Sequence, residues 1–440
     1  MSKKDTNMIK LYWMLQLGTE TFNGREKLKD IKLRQKKHLI ATAYPVNELI
    51  CATGGVPVYP IRMQKLRAST FLSMLSLGST LFGTNLKMGL NVLEKFTPEF
   101  VGNVLNEVSN AINEKYNENS DYAENLIPAD ACFALKFLDG AYMQKAKNVS
   151  AIFNFPIRCT SWNLLQQMNA LDTSKQNIAI NVVPPYLPNS RDLIREEVNQ
   201  AIARLEKITG LTCTNSKLKQ VCEKTNEAKA IYEHLIFNIG PSDKYPVNVK
   251  TYAQMMALIE IAFQDYLSDL DLFLKILRGL KGEVDSLINS SQAVDVSDHP
   301  KILYVSRYGG YDSYIEEVAQ EKRARLIYAD WHQLGFTQQI ATNGDMVDNY
   351  ADYIERYNQI SLDGNVSLTK RQFEIAKRLD ADAVIYNQVF GCHSYTINYS
   401  LLKKRLLQEL EIPSTTINFN KIGEGREQLK TRVEALLELV

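Results

Sequence analysis

The sequence has six cysteines but no Cys-x-x-Cys pair, no Gly-x-Gly-x-x-Gly or Walker-type loop, and no Ser-His-Asp or nucleophile-elbow pattern. The first absence removes zinc ribbons and bacterial ferredoxins, whose ligands come in close pairs. The second removes the standard dinucleotide and nucleoside-triphosphate cradles, and the third the common acyl-transfer hydrolases. Charge of one sign is also missing: 51 basic residues stand against 50 acidic ones, a net charge of +1. That balance argues against nucleic acid or an acidic membrane as the main partner. No long hydrophobic run is present; the stretch Phe71 to Leu90 is broken by Ser, Gly, Thr, Asn and Lys, too often for a membrane span. The first residues, MSKKDTNMIKLYW, lack the apolar core and small-residue cleavage site of a secretory signal. The expectation is a soluble, cytoplasmic protein whose cysteines are thiols available as ligands.

What is there is a chain of 440 residues with 45% hydrophobic content, enough for two or three cores. From Pro300 onward short β-branched runs alternate with helical segments. KILYVSR, ARLIYAD, ADAVIYNQ and STTINF read as strands, and Tyr311 to Lys322, Leu368 to Leu379, Ile397 to Leu410 and Arg426 to Leu439 as helices. That alternation predicts a parallel, doubly wound sheet. NVSAIFNF and QNIAINVVPPY predict two strands of a second α/β unit, and Ser190 to Ser290 reads as helical with breaks at Gly210 and Gly240-Pro241. The polar segment Asn289 to Pro300 is the best linker. The fold class expected is therefore α/β, with two doubly wound parallel-sheet (Rossmann- or flavodoxin-like) domains and an additional helical region. Its parts are an N-terminal helical region over 1–126, which carries an early helix-strand unit feeding the first α/β domain, then the first α/β domain with its helical segment over 127–295, and a second α/β domain over 296–440.

Three cysteines stand where a strand or loop turns into a helix. Cys132 follows Asp130, which reads as an N-cap before an apolar face of Phe133, Phe137 and Leu138. Cys159 follows the run Val149 to Phe155 and Pro156, and Cys392 follows the strand Ala383 to Tyr386. In open α/β sheets ligands bind outside the carboxyl ends of strands. A helix N-terminus favours anions and thiolates. Three such thiols, brought together by the fold, would suit an anionic metal-sulfide cluster. Cys51, Cys213 and Cys222 lack this setting and read as structural.

Other sites are weaker. Glu48, in the short helix of AYPVNELICATGGVPVYP, could be a catalytic carboxylate, although a solvated helix glutamate is the better reading. Arg307-Tyr308-Gly309-Gly310 follows a strand and could hold a phosphate on backbone amides, without a full fingerprint. Of five histidines, His393 adjoins a candidate ligand.

Taken in order, YPVNELICATGGVPV, PADACFALKFLDG, IFNFPIRCTSWNLL and VIYNQVFGCHSYTINYSLLKKRLLQELEIP resemble the 2-hydroxyacyl-CoA dehydratase and benzoyl-CoA reductase family over most of the chain. The resemblance implies two α/β domains with a helical portion, and assigns Cys132, Cys159 and Cys392 as ligands of one 4Fe-4S cluster. It implies a homologous or identical partner subunit and a separate ATP-hydrolysing iron-sulfur activator that delivers low-potential electrons. The cluster passes such an electron to the thioester carbonyl of an acyl-CoA, and the ketyl radical expels the neighbouring hydroxyl, or an aromatic ring is reduced. Three thiolates on four irons leave one iron open for substrate oxygen or water, with His393 and Thr160 as the neighbours able to supply a fourth group or orient that water. The chain departs from many relatives in two places: Ile61 and Arg62 follow Tyr59-Pro60, where an acidic residue is common, and Thr160 follows the second cysteine. These departures keep open a non-catalytic partner or electron-relay subunit, and a homodimeric reductase whose two chains share a double-cubane 8Fe-9S cluster.

Overall fold

Among the described residues, short runs rich in Ile, Val, Leu, Tyr and Thr make eight strands in two four-stranded parallel sheets. They were located in a computed structural model that describes residues 11–21, 35–59 apart from 43–44, 98–154 apart from 126, 129–130 and 146–148, 176–305 apart from 182 and 184–186, and 313–440 apart from 330–334 and 363–364. The first sheet holds β1 (Leu39–Thr42), β2 (Val56–Val58), β3 (Ala151–Asn154) and β4 (Gln176–Ala179) in the order β2-β1-β3-β4. A ribbon of β5 (Lys244–Tyr245) and β6 (Val294–Asp295) lies between the sheets in sequence. The second sheet holds β7 (Lys301–Val305), β8 (Arg325–Tyr328), β9 (Ala383–Val389) and β10 (Ser414–Phe419) in the order β10-β9-β7-β8. Both sheets thus run 2-1-3-4 in their own strand numbering. The direction of winding reverses between the first and third strand of each, where doubly wound sheets open a crevice for ligands. Two parallel α/β units with helices are what the alternating pattern predicts.

Helices make up much of the remaining described chain. A helix over 12–21 (α1) and α2 (Asn47–Ala52) precede α3 (Pro98–Ala123) and α4 (Phe133–Lys145). The helical stretch resolves into α5 (Ser190–Thr209), α6 (Asn215–His234), α7 (Val249–Phe263) and α8 (Leu270–Ile288). Its breaks follow local chemistry. Gly210 closes α5 in the left-handed conformation at φ 71°. Thr214, Asn248 and Asp269 cap the following helices by accepting from the amides of Lys217, Thr251 and Leu272. The second unit adds α9 (Ser313–Glu321), α10 (Met346–Leu362), α11 (Asn365–Arg378), α12 (His393–Leu410) and α13 (Arg426–Leu437). Among the described residues no helix is long and apolar enough to cross a membrane.

The segment Asn289 to Pro300 is tied down rather than free. β6 pairs antiparallel with β5, and the buried Arg325 guanidinium donates to the carbonyls of His299, Pro241 and Ser242.

Candidate functional site

Cys132 and Cys392 each stand immediately before a helix. The Cys132 carbonyl accepts the Lys136 amide at 3.0 Å, closing the first turn of α4. Phe133, Phe137 and Leu138 turn into the core as the sequence predicts, with Phe137 stacked on Tyr116 of α3 at 4.6 Å between ring centroids. Cys392 is the N-cap of α12; its amide donates to the Val389 carbonyl at 3.1 Å across a turn that Gly391 permits at φ 78°. Both cysteines are 8% exposed and belong to one continuous apolar core. Cys392 follows β9, the third strand of its sheet, at the reversal of winding. The free amides of a helix's first turn give each position a partial positive charge suited to an anionic ligand.

Cys159, Thr160, Asp130 and the Arg307 to Gly310 segment lie outside the described residues, as do Ile61 and Arg62. His393 is the first residue of α12. Among the described residues no three histidine, cysteine, aspartate or glutamate side chains are placed to hold a metal ion. Of the cysteines read as structural, Cys222 is fully buried and Cys51 and Cys213 are partly so. Burial pushes the Cys51 and Cys222 thiols well above their ordinary value, with Glu48 adding to both, and burial with Glu206 pushes Cys213 up to about 11. None of these three is a ready thiolate.

Two polar features on α4 accompany Cys132. Lys136, 1% exposed, is paired with Glu124 at 2.8 Å. Asp139 lies two turns along from Cys132 and so on the same face of the helix. It is buried, with no hydrogen-bond donor at either oxygen among the described residues, and burial raises its carboxyl to about 6.

Glu48 requires a correction. It is not a solvated helix glutamate: its side chain is fully buried, 3.4 Å from the equally buried Lys229 ammonium. The Tyr266 hydroxyl donates to its Oε1 at 2.8 Å, and the Tyr350 hydroxyl lies 3.1 Å from its Oε2 and 2.8 Å from the Pro45 carbonyl. Lys229 also sits 4.4 Å from the centre of the Tyr353 ring. Burial pulls the Lys229 ammonium below its ordinary value, and Glu48 offsets part of that. These partners are far away in sequence. The one local signal is Pro45 at the entry to a helix too short to have a solvated side of its own.

The two reversed-winding parallel sheets and the thiols at helix N-termini, Cys392 of them just beyond the carboxyl end of a strand, define a two-unit α/β protein. Residues 42–440 match the family model described as 2-hydroxyglutaryl-CoA dehydratase, D-component. The chain belongs to this family, as its sequence motifs indicate, and is at that level a dehydratase component. No curated protein matches it.

Proposed function

We propose that this chain is the iron-sulfur subunit of an ATP-dependent radical 2-hydroxyacyl-CoA dehydratase, or of a related acyl-CoA reductase of the benzoyl-CoA type. In this reading a separate activator supplies low-potential electrons and the substrate is a CoA thioester. The observation that carries it is the placement of Cys132 and Cys392 at helix N-termini, within one core, in a chain of this family. Their chemistry fits: soft thiol donors with a positive helix end behind each.

Cys132, Cys159 and Cys392 would hold a 4Fe-4S cluster. When bound, such a cluster supplies single electrons at low potential and, with only three protein thiolates, a Lewis-acidic position open to a substrate oxygen. The chain's own residues provide the rest. Gly391 and the Val389 carbonyl fix the turn that presents Cys392, and Phe133, Phe137 and Tyr116 keep water from the wall behind Cys132.

The test is anaerobic purification of the native complex, with iron and sulfide quantified, the subunits identified, and loss of water from a 2-hydroxyacyl-CoA followed after addition of the activator and ATP. About four irons per chain with activator-dependent dehydration is the expected result. A complex isolated without iron or sulfide overturns the reading.

A further inference from the structure

The Glu48 cluster joins parts of the chain that no strand pairing joins. Glu48 lies on α2, at the carboxyl end of β1 in the first sheet; Lys229 lies on α6; Tyr266 lies in the turn after α7; and Tyr350 and Tyr353 lie on α10. α10 belongs to the excursion between β8 and β9 of the second sheet, so it reaches from one unit to the other. Its outer side meets α5 through Arg191–Asp352 at 2.5 Å, Arg195–Asp348 and Ser190–Glu355 at 3.0 Å. The two arginine pairs are solvent-exposed and contribute little. The inner side is different in kind, because a carboxylate and an ammonium taken wholly out of water are tolerable only while every partner is in place.

The turn that delivers Tyr266 is strained. Tyr266, Leu267 and Ser268 have φ of 51°, 54° and 58°, three consecutive non-glycine residues in the left-handed region, where the Cβ crowds the following carbonyl oxygen. Such strain persists where the surroundings over-determine it. Here they do. The same turn region grips the α2 unit at three points: the Asn47 amide donates to the Phe263 and Gln264 carbonyls, Tyr266 donates to Glu48, and the Tyr59 amide donates to Asp265 at 2.8 Å.

We propose that Glu48, Lys229, Tyr266 and Tyr350 form a buried latch between the two α/β units, holding α10 of the second against α2 of the first, so that Glu48 positions the units and does not touch substrate. Separating α10 from α2 would strip Glu48 of the Tyr350 hydroxyl and Lys229 of the Tyr353 face while both charges remain buried. The latch is independent of the cluster chemistry proposed above and is testable on the full chain in either event.

Hydrogen exchange read by mass spectrometry, segment by segment, decides it. Tyr350→Phe removes one hydroxyl and leaves the ring, so folding is preserved. It should speed exchange roughly tenfold within residues 346–357 and 47–52, the loss of one buried hydrogen bond to a charged group, with β7, β9 and β10 unchanged. Tyr266→Phe should act on the same two segments, and Glu48→Gln, which leaves Lys229 buried without its counter-charge, should act more strongly. Unchanged exchange in both segments would overturn the latch. So would a rise spread evenly through the second sheet, since Tyr350 would then be ordinary core.

Discussion

Glu283, near the end of α8, accepts hydrogen bonds from the main-chain amides of Trp13 at 3.2 Å and Met14 at 3.1 Å, 270 and 269 residues away in sequence. A carboxyl group from one helix thus caps the open N-terminus of another, α1. Burial raises the Glu283 carboxyl to about 8, against the lowering effect of the amides it accepts from.

Because the folded value lies above the unfolded one of about 4.3, this group's contribution is fully present below that unfolded value and is lost as pH rises through about 8. Thermal unfolding should therefore show stability declining between about pH 5 and pH 9, by on the order of 2–4 kcal/mol from this group. Glu283→Gln should flatten that part of the profile. A variant with the wild-type slope would show that Glu283 is not its source.

Gly279, one turn earlier on α8, is the seat of the Trp13 ring: a Cβ there would lie 2.1 Å from the indole. Alanine would gain about 1 kcal/mol of helix propensity, but overpacking of this severity costs about 1–3 kcal/mol, so the clash prevails. Gly279→Ala should lower the unfolding midpoint and shift Trp13 emission to the red. The emission change should vanish when Trp13→Phe is added; if it persists, the ring has not been displaced.

Cys132→Ala, Cys159→Ala and Cys392→Ala should each lower the iron bound per chain after anaerobic purification, while Cys213→Ala and Cys222→Ala should leave it unchanged. His393→Ala should also retain iron, since a catalytic metal site keeps one position open. Iron loss in His393→Ala as complete as in Cys392→Ala would make the histidine a ligand and remove the open position.

Light scattering of the active preparation should report a dimer with an identical or homologous chain. A monodisperse monomer with full activity would end the two-subunit assignment.

The second sheet was the most legible part of the sequence. KILYV, RLIY, AVIYNQV and STTINF are short, β-branched and bounded by turn residues, and local preference and tertiary setting agree there. Helix α10 was harder to read because its buried stripe is written in tyrosine: Tyr350, Tyr353 and Tyr357 lie among Asp, Asn and Glu, so ordinary hydropathy hides its period. Cys132 and Cys392 were legible as helix-entry residues because entry is a local property. The burial of Glu48 was not, because it depends on Lys229, Tyr266 and Tyr350, and no window of neighbouring residues contains them. Local signals reach a helix start; they do not reach a contact closed by the whole fold.

Helix α7 carries a consequence for how the chain can be divided. Thirteen of its fifteen residues are buried. Ala253 and Ala257 face the apolar cluster of Ile302, Tyr304, Leu326 and Ile385 under the second sheet, whereas Tyr252, Met255, Met256, Leu258 and Ile259 belong to the main core. One helix therefore serves two interiors. A cut in the polar segment Asn289 to Pro300, however natural it looks in the sequence, would leave the C-terminal fragment with an open apolar floor and the N-terminal fragment with an exposed helix face. Expressed separately, each piece would be insoluble or would need the other to fold, so the two α/β units are not exchangeable modules.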